Sequence, residues 1–311
     1  METKEIREAY VNTLLELGAK NPNIVVMEAD LMSCTNTGAF KKAYPDRFFN
    51  VGIAEANMVC VAAGLSAAGK IPFAATFGCF ASRRVYDQFF ISGNYAKLNV
   101  KLVGTDPGVT AAFNGGTHMP FEDLALMRAV PRLTILEPSD AISAAALIRQ
   151  AAGIYGCVYL RFPRKPVPVL YPQDEKFSIG RSKVLKSGKD VCFVALGSLM
   201  VNEALKAREL LAADGVDAGV LDVLSLKPID GDAILNEAAK VKAVLSAENH
   251  QIIGGLGSAI AEILAENGFK GKFARIGIND EFGEVGTQDY LVKRFGLDAE
   301  TLAKRAKSLL S

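Results

Sequence analysis

Short runs rich in β-branched and aromatic residues alternate with stretches of helical period along this chain, and that rhythm admits few folds. NIVVMEAD (23–30), IPFAATF (71–77), VKLVGTD (100–106), TILEPS (134–139) and VYLRF (158–162) have the length and composition of strands. Residues 54–69, 80–97, 121–130 and 140–152 read as the helices between them. Such alternation calls for a parallel sheet covered by helices. From Pro163 the text changes: Pro163, Pro166, Pro168 and Pro172 fall within ten residues, and a charged, weakly patterned stretch follows to Asp190. This predicts a linker. The alternation then resumes with VCFVALG (191–197), AGVLDV (218–223), AVLSAE (243–248) and FARIGI (273–278). The expected architecture is α/β, with two parallel-sheet domains at 1–165 and 190–311 joined by a linker at 166–189.

Charge narrows the class of partner. The 35 basic residues face 34 acidic ones, so the net charge of +1 offers no electrostatic footprint for nucleic acid or an anionic membrane. A small-molecule ligand is expected instead. Cys34, Cys60, Cys79, Cys157 and Cys192 show no CxxC or metal-ligand spacing and read as buried thiols of a reducing compartment. No metal site is expected on this chain. METKEIREAY lacks a cationic-then-apolar signal, and the most lipid-like run, MVCVAAGLSAAG (58–69), is too short to span a bilayer. A cytoplasmic protein that enters no membrane is expected.

In an open parallel sheet, ligands bind beyond the carboxyl ends of the strands. Glu28, Asp30 and Ser33 follow the first strand, Gly52 to Glu55 the short FFNV, Phe77 to Arg84 the next, and Asp106 to His118 the one after. Glu55 is the sharpest candidate. A carboxylate in a first helical turn is favoured by the macrodipole by about 0.3–1 kcal/mol and can be otherwise idle. Here Ile53, Ala54, Ala56, Met58, Val59 and Cys60 leave the first turns no polar face. A dry carboxylate at a helix start is suited to share a proton with a ligand nitrogen.

RFFNVGIAEANMVCVAAGLSAAGKIPFAATFGCF (47–80) resembles the pyrimidine-binding domain of the transketolase family of thiamine diphosphate enzymes, with its G-I-x-E and T-F-x-x-F motifs. DLALMRAVPRLTILEPSD and VYLRFPR resemble later segments of that domain. SLKPID and AENHQIIGGLGSAIAE resemble the C-terminal domain shared with deoxyxylulose-phosphate synthases and 2-oxoacid dehydrogenase β chains. The resemblance implies that Glu55 bonds N1′ of the aminopyrimidine and drives its imino tautomer, which deprotonates the thiazolium C2. It places Phe80 against the pyrimidine, with Phe77, Asp30 and Ile53 alongside. His118, in G-x-T-H, assists proton transfer near the substrate carbonyl. Arg164 and Arg7 grip a sugar phosphate, for which a planar two-pronged donor is suited. Ser33, Asp106 and Asn114 complete the substrate side. Asn114 stands where transketolases usually have an aspartate, Asp106 where many have a histidine, and Arg83 where longer ones have an aromatic. These departures point to an altered sugar, phosphorylated in an unusual way or sulfonated.

An absence is equally informative. Family members hold the diphosphate through Mg²⁺ on a separate domain marked by GDG, and this chain contains no GDG. The resemblance implies the C-terminal subunit of a split transketolase, with an N-terminal subunit supplying the Mg²⁺ and diphosphate ligands in a heterotetramer. The expected reaction moves a two-carbon ketol unit from a ketose to an aldose. Alternatives are a synthase-like or dehydrogenase-β-like subunit, a noncatalytic regulatory subunit, and a nucleotide-binding protein suggested by GGLG (254–257) opening a helix. His250, before that loop, is expected to serve structure or subunit contacts.

Overall fold

The computed structural model describes residues 2–311. The first sheet has seven strands, in spatial order Ser225–Lys227, Thr134–Leu136, Val158–Phe162, Lys101–Thr105, Ile71–Phe77, Ile24–Glu28 and Phe48–Asn50. The last six are parallel. The second sheet orders Lys272–Ile278, Ala243–Gln251, Val191–Leu196, Ala218–Asp222 and Lys183–Lys186, with only the final strand antiparallel. The expected pair of parallel-sheet α/β units is present.

Strand pleating explains the layers. Val26, Phe73, Val103 and Leu160 pack toward helices Ile6–Lys20 and Ala141–Gly153, and their neighbours Met27, Ala74, Leu102 and Tyr159 pack toward helix Glu55–Ala67. Strands buried on both faces need continuous apolar sequence, as IVVME and VYLRF supply. The second core is continuous with the first, because Val194, Leu221, Leu226 and Ile260 join the cluster that holds Met27 and Leu102.

Three local expectations change. Residues 80–97 form no single helix: π-helical turns at Phe80–Arg84 and Phe89–Tyr95 flank a short α-turn at Tyr86–Gln88. Close packing of Gly93, where an added Cβ would lie 3.2 Å from Cys157 Sγ, accompanies the widened coil. The segment between the sheets also carries structure. Pro166–Pro168 pairs antiparallel with Thr3–Glu5, and Lys183–Lys186 edges the second sheet. Proline suits such edges because it has no N–H to donate. Cys79, Cys157 and Cys192 are buried, but Cys60 lies on the outer face of its helix and is exposed.

A charged network sits between the two halves. Arg161, with no exposed surface, donates from Nε to Asp123 Oδ2 (2.7 Å), from Nη1 to Glu137 Oε2 (2.7 Å), and from Nη2 to Asp123 Oδ1 (3.2 Å) and the Asn249 carbonyl (2.8 Å). Tyr159 donates to the same Asp123 (2.9 Å). Asn249 crosses back, its Nδ2 donating to the Pro107 carbonyl (2.8 Å) and its Oδ1 accepting from the Val109 N–H (2.9 Å). His250 lies within strand Ala243–Gln251, buried, and its Nε2 accepts from the Ala125 N–H (3.3 Å). Burial lowers its pKa to about 4, so it is a neutral structural clamp.

Burial also pushes the carboxyls of Glu28, Asp222 and Glu248 up to about 7. A raised acid binds a proton in the folded state that the unfolded chain has released above about pH 4.5. The stability these groups give is therefore complete below that pH and lost as pH rises through 7. His250 opposes one of them only below about pH 6.5. The unfolding free energy is expected to fall as pH rises from 5 to 8, by up to about 1.4 kcal/mol per pH unit for each carboxyl, and the thermal midpoint with it. Asp222→Asn, which keeps an acceptor for the Tyr171 hydroxyl (2.7 Å), should flatten that slope in calorimetric scans.

Candidate active site

The candidate residues leave the sheet at its carboxyl edge, where strand ends force the backbone to turn. Asp30 (φ 63°) and Asp106 (φ 57°) adopt left-handed conformations directly after their strands, a region that aspartate tolerates better than most residues. Asn50 ties two of these ends together. Its Oδ1 accepts from the N–H groups of Asp30 (3.0 Å) and Gly52 (3.1 Å), and its Nδ2 donates to Asp30 Oδ1 (3.3 Å). The clamp sets the entry to helix Glu55–Ala67, whose first residue is Glu55.

Glu55 is 2% exposed, and its one polar partner among the described residues is Arg84, whose Nη1 donates to both carboxylate oxygens at 3.0 Å. The same guanidinium lies over the Phe80 ring, 4.1 Å from its centroid. His118 meets the rings of Phe80 (5.3 Å) and Phe77 (6.0 Å) edge-on, while its Nδ1 is 2.8 Å from the Thr117 hydroxyl. Arg164 also meets the Phe77 ring, 4.9 Å from its centroid, and is ion-paired with Asp106. Burial pushes the Asp106 carboxyl up, against the pull of Arg164. Arg7 donates to Glu5 (2.7 Å) and to the Cys34 carbonyl (3.0 Å), which draws the turn bearing Ser33 alongside. A cavity of about 300 Å³ lies among Arg7, Asp106, Phe113, Asn114, Arg164 and Lys165.

Two groups thus form and touch. Glu55, Phe80, Phe77 and His118 make one, Arg7, Asp106, Asn114 and Arg164 the other, with Arg164 between them. Ser33 borders the second group through Cys34. Asp30 is held by Asn50 on the exposed rim, and the Ile53 side chain, 76% exposed, faces away from the chain. Arg84 and Asn50 escape sequence inspection. The available signal for Arg84 was its position four residues after Phe80, a spacing that lets two side chains meet on a helical coil.

The loop carrying Asn114 and His118 is braced from outside. Arg83 donates to the Thr117 carbonyl (3.1 Å) and pairs with Glu122 (3.1 Å). At Gly116 a Cβ would lie 2.1 Å from the Gly283 carbonyl oxygen, so only glycine allows this approach of the second domain. The GGLG turn, by contrast, is already filled. Glu248 accepts from the N–H groups of Leu256 (2.7 Å) and Gly257 (2.8 Å), the donors a nucleotide phosphate would need.

Comparison with known proteins identifies the family of both units. Family models described as the transketolase pyrimidine binding domain and the transketolase C-terminal domain match residues 2–169 and 180–302. The 6-deoxy-6-sulfo-D-fructose transketolase subunit of Clostridium sp. (strain MSTE9) is 47% identical over 306 residues, 98% of this chain and 94% of that one. The transketolase of Homo sapiens is 32% identical over 98% of this chain, which spans only 49% of it. Among solved structures, a split gene transketolase described as an inactive beta4 tetramer superposes with a TM-score of 0.91, at 46% identity over 98% of both chains.

Ala112, in the loop before Asn114, has φ 48° and ψ −117°, a conformation that costs a side-chain-bearing residue roughly 1–3 kcal/mol. Ala112→Gly is expected to stabilise the protein by about 1 kcal/mol, a rise of roughly 2 °C in the thermal midpoint, and Ala112→Val to lower it.

Proposed function

The chain belongs to the transketolase family, and from that membership we propose that it works as the C-terminal subunit of a split transketolase, transferring a two-carbon ketol unit from a ketose to an aldose. In this reading residues 1–165 are the pyrimidine-binding unit and 190–311 the C-terminal unit. The observation that carries it is the dry carboxylate of Glu55 set beside the face of Phe80. The two are within reach of one planar, nitrogen-bearing group, as the Arg84 guanidinium demonstrates by meeting both at once. The aminopyrimidine of thiamine diphosphate is such a group, so the residues present fit it. When bound, that cofactor supplies the electron sink that lets a ketose C2–C3 bond break.

The chain's own residues do the rest. Glu55 holds the proton shared with the pyrimidine nitrogen and, being buried, does so without competition from water. Phe80 and Phe77 cover the ring. The contact between the Thr117 hydroxyl and Nδ1 (2.8 Å) orients the His118 ring and leaves Nε2 to exchange a proton with a substrate oxygen. Arg164 and Arg7 hold the anionic end of the sugar, while Asn114 offers a neutral hydrogen bond. Asp30 and Ser33 stand at the rim, and Ile53 faces outward toward the proposed partner.

An N-terminal subunit is the proposed partner. It would bring Mg²⁺ and the diphosphate ligands, in a heterotetramer with two copies of each chain. The match to about half of the human enzyme supports this, as do the exposed apolar side chains of Ile53, Phe113 and Phe282 beside the site loops and on the segment that braces them. Among the described residues no helix is long and apolar enough to cross a membrane. The free, largely buried thiols suit a cytoplasmic setting.

The anion seat narrows the substrate. Its lining charges are Arg7, Arg164 and Lys165 against Glu5 and Asp106, and each arginine already faces a carboxylate. A surplus of one positive charge matches a sulfonate better than a doubly charged phosphate, and it agrees with the sulfosugar relative. In the reconstituted pair, a 6-sulfonated ketose is expected to be the better donor by kcat/KM than its 6-phosphate counterpart. Asp106→Asn should shift that ratio toward phosphate by about tenfold, as one like charge is removed. Glu55→Gln should cut turnover by at least about 100-fold, measured as aldose consumed. Full activity of Glu55→Gln would refute the assignment.

A further inference from the structure

We propose that Arg84 is a built-in occupant of the pyrimidine seat, holding it while the cofactor is away and leaving when the cofactor arrives. The inference rests on the assignment of Glu55 and Phe80 as that seat. It starts from what the guanidinium does. Nη1 lies 3.0 Å from each oxygen of Glu55, and Cζ sits over the Phe80 ring, 4.1 Å from its centroid. Those are the two contacts, one hydrogen-bonded and one stacked, that the seat offers a flat nitrogen heterocycle. No other side chain among the described residues bonds the Glu55 carboxylate, and the Arg84 guanidinium bonds no other group.

The electrostatics explain why something must be there. Glu55 is 2% exposed, and a dry carboxylate with no partner is costly. A mobile cation on the rim relieves that cost and can be withdrawn. The Arg84 side chain is 48% exposed, so its exit toward water is open. The turn that bears it, Phe80–Arg84, is π-helical, a wide coil frequent at functional sites. Phe80 and Arg84 stand at its two ends, which sets the guanidinium back over the ring.

Occupancy by Arg84 and by the cofactor exclude each other. One side of a ring stacks one partner, and the Glu55 oxygens that Arg84 Nη1 bonds are the ones a pyrimidine nitrogen would need. The arginine is therefore part of the resting site and absent from the working one. It keeps the seat from filling with water or collapsing, and it lowers the apparent affinity for the cofactor by the fraction of time the seat is closed.

The test measures thiamine diphosphate binding, with Mg²⁺ present, to the complex reconstituted with the N-terminal subunit. Calorimetry gives the Kd and a stopped-flow spectroscopic signal gives the association rate. Arg84→Ala is expected to bind about tenfold more tightly and associate faster, and its cofactor-free form to melt at a lower temperature than the parent. Arg84→Gln keeps the length without the charge and should move Kd in the same direction, which covers the case in which the alanine variant fails to fold. An unchanged or weaker affinity in both variants would overturn the proposal, since a residue that positions the bound cofactor would behave that way. A loaded structure with Arg84 still bonded to Glu55 would overturn it too. Phe80→Ala and Glu55→Gln separate the two levels of the argument. If neither alters cofactor affinity, the seat itself is misassigned, and the Arg84 proposal falls with it.

Discussion

Arg161 is a cation shut off from water, and the arrangement of both sheets answers to it. A buried guanidinium is tolerable only with its N–H groups directed at acceptors, and here Asp123, Glu137 and the carbonyl of Asn249 come from three different stretches of chain. Such a network adds little net stability over a well-packed apolar core, yet removing one member strands the others at a cost of about 3–5 kcal/mol. Its effect is to fix geometry. With Asn249 bonded to Arg161 on one side and to Pro107 and Val109 on the other, the loop leading to Asn114 and His118 is held in register with the second sheet.

Outside this network, the site repeats one electrostatic habit at its edge. Arg84 faces Glu55, Arg164 faces Asp106, and Arg7 faces Glu5. The paired charges keep the crevice near neutrality before any ligand enters, so an incoming anion or heterocycle exchanges partners instead of meeting a bare charge. Selectivity then depends on which carboxylate has to be displaced, and by what.

Much of this was legible in the order of residues. The strand and helix rhythm depends on local periodicity, and it located both sheets to within a few residues. Glu55 stood out because its neighbours offered it no wet face. What escaped has one cause: it depends on contacts between distant segments. The strands Pro166–Pro168 and Lys183–Lys186 are too short and too proline-rich or charged to declare themselves, and they form because a sheet edge is available. Cys60 sits in an apolar run, but helical period turns it outward. Arg84 was one of two adjacent arginines, and only the fold shows which of them reaches across 29 positions to Glu55.

The strand Ser225–Lys227 belongs by sequence to the second half yet is hydrogen-bonded to Thr134–Leu136 in the first sheet. The first sheet is completed only by a strand of the second half. A protease nick in the connecting stretch would leave two fragments still clasped through a shared sheet and a shared core, migrating together until denatured. The joint between the halves is thus a dovetail, and neither could be traded for a foreign module without leaving an open edge behind.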